Sequence, residues 1–326
     1  MNDKKNEMDE RGRGYDRRSF LKCIGAWAGT GVVLAMAGGV LTSCRLEDAA
    51  PGVLSFVQIS DTHIGFGKDP NPHVTDTLQS LVDKINALPQ RPPFVIHTGD
   101  LTHLSKPEEF DTLAQILSGL KTDKIFYVPG EHDTFSDQGA EYLKRFGGGT
   151  QGKGWQSFDH NGTHYIGLNN VVAASSGAQP GTFKNGGSEG LGSLGAEQLA
   201  WLEKDVANLA ASTPIVVFTH VPLWAVYPEW GWGTEDSEQA LSYLKKFGSV
   251  TVLNGHIHQA MQKVEGNVTF HTARSTAYPQ PAPGTAPAPG PVKDLPAGRL
   301  GQTIGITQVR YVEANKPLAI VDSTLT

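Results

Sequence analysis

The segment Asn254-Gly255-His256-Ile257-His258 closes the apolar run Val250-Thr251-Val252-Leu253. A short apolar run that ends at a Gly reads as a buried strand, so both histidines sit where a strand passes into a loop. The Gly lets the backbone turn tightly, and each imidazole offers a ring nitrogen to a metal. Four other apolar runs end in the same kind of residue, at Asp61-Thr62-His63, Gly99-Asp100, Gly130-Glu131-His132-Asp133 and His220. Five strand ends that must share one rim constrain the fold more than any single motif does. Carboxylates and imidazoles without a thiolate make that rim a site for cations.

Between these ends the chain alternates. Residues 53–60 read as a strand into Asp61. Residues 73–88 carry Val74, Leu78, Leu81, Val82 and Ile85 at helical spacing, with Pro89 as the stop. A strand over 94–96 leads to Gly99-Asp100, a helix over 108–120 follows Pro107, and a strand over 125–128 leads to Gly130. This alternation predicts an α/β fold, a sheet layered with helices and with its active loops at one end. Asn161-Gly162 between two β-like runs predicts an antiparallel hairpin. Helices over 196–209 and 237–247 flank the strand that ends at His220. A hairpin over 259–273 and a pair over 305–322 close the chain. The proline-rich insert 279–296 is expected to be an extended, mobile loop. No second-domain boundary interrupts residues 45–326.

Residues 1–44 read as a leader. Arg17-Arg18-Ser19-Phe20-Leu21-Lys22 precedes an uncharged stretch from 23 to 44 and resembles a twin-arginine export signal. The other reading is a membrane anchor, but glycines at 25, 29, 31, 38 and 39 make the stretch only mildly apolar. Leu41-Thr42-Ser43-Cys44 resembles a lipobox, so Cys44 is either a lipidated membrane tether or incidental. The expectation is an exported protein of the periplasm or cell envelope, carried folded by the twin-arginine translocase. No cysteine follows Cys44, so a domain of about 280 residues would rely on its core rather than on disulfides. The leader holds seven of the 27 basic and five of the 33 acidic residues, which leaves 20 against 28 and a formal charge of −8 for the rest. That balance excludes a nucleic-acid duplex as the expected partner.

In order, Asp-x-His, Gly-Asp, Gly-x-His-Asp, His and Gly-His-x-His over residues 61–258 resemble the calcineurin-like metallophosphoesterase superfamily. The resemblance implies a four-layer α/β/β/α sandwich of mixed sheets, two metal ions drawn from Mn, Fe or Zn, and hydrolysis of a small-molecule phosphodiester or phosphomonoester. By its pattern Asp61, His63 and His258 hold one metal, Asp100 bridges to a second, and His220 and His256 complete that second site with position 131. His132 falls off the ligand list and is the implied general acid, with Asp133 orienting its ring and holding it protonated. The chain departs from the pattern at Glu131, where the family usually has Asn. Glu131 is a ligand in a working site, or it changes the choice of metal or substrate, or it marks a site that binds metal without turnover. The last option is a different function, an exported metal-holding binding or scaffold protein.

Other residues carry weaker expectations. His103, three past Asp100, either touches the substrate phosphate or is an exposed loop histidine. Trp224 opens a run of rings that reaches Trp232 just after His220. These rings either wall the pocket, with Trp224 against the substrate, or pack in the core. His97 is expected to be a hydrogen-bonded core residue, His160 and His164 to face solvent, and Arg274 to make a surface salt bridge.

Overall fold

The computed structural model describes residues 32–34, 54–171, 182–184, 187–189, 191–311 and 318–326. The expected leader, including Arg17, Arg18 and Cys44, lies outside the described residues apart from Val32–Leu34. Among the described residues no helix is long and apolar enough to cross a membrane.

The strands are β1 (Val32–Leu34), β2 (Leu54–Ile59), β3 (Phe94–His97), β4 (Lys124–Tyr127), β5 (Gln156–His160), β6 (Thr163–Gly167), β7 (Thr182–Lys184), β8 (Gly187–Glu189), β9 (Ile215–Phe218), β10 (Val250–Asn254), β11 (Met261–Glu265), β12 (Val268–Thr272), β13 (Gly305–Tyr311) and β14 (Leu318–Thr324). The helices used below are α1 (Val74–Asn86), α2 (Pro107–Leu117), α3 (Ala140–Phe146), α4 (Gly195–Val206) and α5 (Ser237–Leu244). One sheet has the order β1-β14-β13-β2-β3-β4 and the other β11-β12-β10-β9-β6-β5. Both are mixed. β2, β3 and β4 run parallel, as do β6, β9, β10 and β12, while β13 and β11 pair antiparallel to their neighbours.

Side-chain alternation explains the layering. In β2, Val57 and Ile59 pack under α1 and α2 with Leu78, Leu81, Phe110 and Leu113, whereas Phe56 points the other way. In β9, Ile215 and Val217 pack under α4 and α5 with Leu202 and Leu244, whereas Val216 and Phe218 face Phe56 and Phe94 across the sheets. Strands buried on both faces read as continuous apolar runs, which is why the sequence signal for them is strong. The result is the expected four-layer α/β/β/α sandwich, with an inter-sheet core whose Phe126 and Phe158 rings stack at 3.7 Å. Each such ring contributes about 1.5–3 kcal/mol by burial.

Local chemistry sets the helix limits. α1 stops two residues before Pro89's predecessor, as a proline disfavours helical conformation in the residue ahead of it. α2 has Pro107 in its first turn, and the Glu109 carboxylate accepts the Leu104 N–H at 2.8 Å, which ties the Asp100 loop to the helix start.

Two expectations fail here. His164 does not face solvent: it is buried, with Nδ1 2.8 Å from Asp159 Oδ1 and Nε2 2.9 Å from Asp205 Oδ2. The carboxylate partners, which lie on β5 and α4, make burial of this imidazole tolerable. The insert 279–296 is not an extended excursion either. Val292 N–H donates to Pro279 O at 3.1 Å and closes a loop that returns to its own base. Hydrogen bonding of this kind was invisible in a composition dominated by proline.

Candidate metal centre

The parallel strands β2, β3, β4, β9 and β10 deliver their carboxyl ends to one seam between the sheets. Gln58 donates from Nε2 to Thr98 Oγ1 at 3.0 Å and to Asn254 O at 3.2 Å, so it stitches the two sheets just below the rim. His256 N–H donates to Asp61 Oδ1 at 3.1 Å across the same seam. Close approach explains Gly255: a Cβ there would lie 2.0 Å from Ser60 Oγ and 2.6 Å from Asp61 Oδ2. Asp61, His63, Asp100, His256 and His258 all have positive φ, between 42° and 71°. Such backbone is costly for non-glycine residues and clusters at functional sites.

Two buried groups of side chains could each hold a metal ion: Asp61, His63, Asp100 and His258 in one, and Glu131, His220 and His256 in the other. In the first, His63 Nε2 is 3.1 Å from His258 Nε2, and His258 Nε2 is 3.2 Å from Asp61 Oδ1. In the second, Glu131 Oε2 is 2.8 Å from His220 Nε2 and Glu131 Oε1 is 2.9 Å from His256 Nδ1. Asp100 lies between them. Its Oδ2 is 3.5 Å from His63 Nε2 and 3.4 Å from His220 Nε2.

The donor set fits cations. His220 donates from Nδ1 to Thr98 O and His258 from Nδ1 to Tyr278 O, both at 2.7 Å, which leaves each Nε2 lone pair aimed into the site. Glu131 Oε2, His220 Nε2 and both ring nitrogens of His256 are buried without an aligned hydrogen-bond partner, despite the short Glu131 distances. Buried polar atoms that converge without satisfying one another are the arrangement a metal completes.

Electrostatics agree. Burial works against the Glu131 carboxylate, but His256 and then His220 outweigh it and hold its pKa well below the usual range. Burial likewise works against a charged His220, and Asp100 and Glu131 outweigh it and push that pKa well up.

His132 sits at the mouth of the site. It donates from Nδ1 to His103 O at 2.7 Å, and its backbone N–H donates to Asp100 Oδ1 at 3.0 Å. Burial lowers its pKa, but Asp100 and Glu131 outweigh burial and raise it, a direction set by carboxylates that bound cations would partly neutralise. His103 stacks on the His132 ring at 4.9 Å and 18°. Burial, then His132, lowers the His103 pKa to about 4, so it is a neutral ring near pH 7. It lines the cleft rather than pointing to bulk solvent.

Three side-chain assignments are corrected by the geometry. Asp133 makes no hydrogen bond to the His132 ring and so does not orient it, although its charge, after those of Asp100 and Glu131, does raise that ring's pKa. Its carboxylate accepts N–H bonds from Gly130, Leu101 and Thr102 at 2.8–3.0 Å and the Thr102 hydroxyl at 2.9 Å, so it joins the β3 and β4 loops. Burial, then Asp100, pushes its pKa up to about 7, and the three N–H groups pull it down. The His103 carbonyl orients the His132 ring instead. Trp224 is not at the site: it is buried against Phe270 at 4.9 Å, under α4 and α5. Trp230 and Trp232 line the cleft in its place. Arg274 donates to Thr303 O at 3.2 Å instead of forming a surface salt bridge, and His97 is buried against Thr62 as expected.

The cleft above the ligands has a volume of ≈ 340 Å³, within the range of small-ligand sites.

The calcineurin-like phosphoesterase pattern matches residues 54–260. The chain belongs to this family. Members use divalent metals, and the two candidate ligand groups of this calcineurin-like phosphoesterase lie inside the matched region. It is 25% identical over 242 residues to a probable cyclic nucleotide phosphodiesterase of Rhodopseudomonas palustris, covering 69% of this chain and 79% of that one. It is 27% identical over 246 residues to a probable glycerophosphodiester phosphodiesterase of Arcobacter nitrofigilis, covering 68% and 78%. A dimetal phosphatase from Danio rerio shares the fold at a TM-score of 0.57 and 15% identity, with 84% and 97% of the two chains covered.

Sequence reasoning missed Tyr278 and Gln280. Tyr278 supplies the carbonyl that fixes His258, and its ring stacks on His63 at 4.9 Å. A main-chain acceptor leaves no trace in residue type, which is why Tyr278 was overlooked in this phosphoesterase.

Proposed function

We propose that the protein is a dinuclear metal-dependent phosphodiesterase that acts outside the cytoplasm. The observation that carries the reading is Asp100 Oδ2, placed at 3.5 and 3.4 Å from the Nε2 atoms of His63 and His220. A carboxylate shared by two ligand groups is the element that lets two cations sit about 3.5–4 Å apart. Asp61, His63 and His258 would hold one ion with Asp100, and Glu131, His220 and His256 the other. Imidazole-rich groups favour Mn, Fe or Zn over Mg.

When bound, the cations supply Lewis-acid charge to the phosphoryl oxygens and activate water for in-line attack. The chain's own residues do the rest. His132, held by the His103 carbonyl through Nδ1, presents Nε2 at the cleft and donates its proton to the departing oxygen. His103 supports that ring from below by stacking. Asp133 keeps the loops bearing Asp100 and Glu131 in register.

Glu131 favours diesters over monoesters. Asp61, Asp100 and Glu131 bring three buried carboxylates to the site, one more than an Asn at position 131 would leave. The added negative charge weakens attraction for a doubly charged monoester more than for a singly charged diester. Two relatives named above are phosphodiesterases by description, which supports the same choice. The twin-arginine pattern at Arg17 and Arg18 supports export of a leader 1–44 ahead of a hydrolase domain 45–326, with Cys44 as a membrane tether if it is lipidated.

The test is nitrophenol release by the Mn²⁺-loaded protein from bis-nitrophenyl phosphate and from nitrophenyl phosphate. A kcat/KM for the diester at least about tenfold higher is expected. Preference for the monoester would overturn the assignment, and metal binding with no turnover of either would favour the scaffold alternative.

A further inference from the structure

Residues 279–292 form a loop fastened at three places. Its base is closed by Val292 N–H to Pro279 O at 3.1 Å. Its middle is docked where Ala286 packs on the cluster of Trp230, Trp232 and Ile257. Its third fastening is Gln280. That side chain accepts the Gly290 N–H at Oε1 and donates from Nε2 to His256 O, both at 3.0 Å. Gln259, next to His258, donates in turn to Gln280 O at 3.0 Å and Pro281 O at 2.6 Å. The loop is thus bonded to the same turn that carries His256 and His258. Prolines at 279, 281, 283, 287, 289 and 291 fix φ along it, so little conformational freedom remains once it is fastened.

The loop faces the cleft. Pro289, Gly290 and Pro291 line it together with Trp230 and Trp232, while Lys68 and Lys293 stand at its exposed edge. Pro289 and Pro291 are half-buried, whereas Trp230 is 6% and Trp232 1% exposed, so the accessible wall is proline ring, apolar and without an N–H donor, backed by the two indoles. It lies in the same cleft as His256, to whose carbonyl Gln280 is bonded.

We infer that the 279–292 loop is a subsite for the organic substituent of a phosphodiester, accepting an aromatic or other flat apolar group against its prolines, which Trp230 and Trp232 back from beneath, with Gln280 as the positioning residue that sets the wall relative to His256. The inference rests on the phosphodiesterase reading and adds to it a substituent class and a residue. Lys68 and Lys293 contribute by drawing the anion to the mouth.

Two diesters with the same leaving group separate the effects: bis-nitrophenyl phosphate, which retains an aryl group, and methyl nitrophenyl phosphate, which retains only a methyl. The wild type should prefer the aryl diester. Gln280→Ala and Ala286→Glu should each lower the aryl-to-methyl ratio of kcat/KM by about tenfold, chiefly through KM for the aryl substrate. Gln280→Glu keeps the acceptor for Gly290 but loses the donor to His256 O, and it should keep more of the ratio than Gln280→Ala. Binding of diphenyl phosphate, followed by tryptophan fluorescence of the unreacted protein, reads the subsite without turnover and should weaken in both disrupting variants. An aryl-to-methyl ratio and a diphenyl phosphate affinity that both stay at wild-type values would overturn the subsite while leaving the hydrolase reading intact. Variant-sensitive binding with no hydrolysis of either ester would support the subsite and remove the hydrolase.

Discussion

Glu131 bridges His220 and His256, with Oε2 2.8 Å from one ring and Oε1 2.9 Å from the other. Both contacts are buried, yet Oε2, His220 Nε2 and His256 Nδ1 are left without an aligned hydrogen-bond partner. Glu131→Asn offers a neutral oxygen on a side chain one methylene shorter and removes one negative charge beside the reacting phosphate. Metal affinity should fall modestly, and activity on an anionic diester should hold or rise. The preference for diester over monoester should narrow. A large loss of diester turnover with metal content preserved would show that the charge itself is needed for catalysis.

His132 should matter most where the leaving group is poor. Removing a general acid costs on the order of 10²–10⁴ in rate, and nitrophenolate, which departs without much help, should show the small end of that range. His132→Ala is therefore expected to retain metal and to lose far more activity on an alkyl diester than on a nitrophenyl one. Equal losses on both would assign His132 to substrate placement.

Asp133→Asn removes the carboxylate that gathers the Gly130, Leu101 and Thr102 N–H groups. An N–H left facing the amide nitrogen loses its acceptor, and a buried unsatisfied donor costs about 1–3 kcal/mol, so a stability loss of that order should appear in denaturant unfolding, with metal content lowered at both ligand groups. Loss of activity with neither change would return Asp133 to a direct role on His132.

His164 sets a pH dependence of stability remote from the cleft. Burial disfavours its charged form, but Asp205 and Asp159 outweigh burial and raise its pKa. A raised folded pKa stabilises fully below the unfolded value of about 6.5 and loses that contribution as pH rises through the folded value. His164→Gln should cost about 1–3 kcal/mol near pH 6 and less near pH 9. A cost that does not vary with pH in urea melts would mean the ring is neutral in the folded protein.

Export is tested by fractionating cells that produce the wild type or Arg17→Lys/Arg18→Lys. The wild type is expected in the exported fraction and the double variant in the cytoplasm. Arrival of both in the same exported fraction would set the twin-arginine reading aside.

The sandwich was legible because β2, β9 and β10 are largely apolar and each runs within two residues into a candidate ligand, so pattern and chemistry point the same way. The candidate ligand groups were legible for the same reason: side chains such as Asp61 and His258 have few other uses at a buried strand end. Trp224 was not, since an indole near a ligand reads alike in core and cleft, and only the position of Phe270 decides. The partner of Asp133 was hidden because backbone N–H groups are present at every residue. His164 was misread because its carboxylates, Asp159 and Asp205, come from separate elements. The insert was misread because proline content reports stiffness and says nothing of the bonds that Gln280 makes to Gly290 and His256.

The central claim is that Glu131 completes a second metal site beside one built on Asp61, His63 and His258, with Asp100 shared. Metal content after Mn²⁺ loading and mild chelation measures it directly. The wild type should hold about two ions per chain, and Glu131→Ala about one, since only one ligand group loses a member. Unchanged stoichiometry in Glu131→Ala would contradict the account.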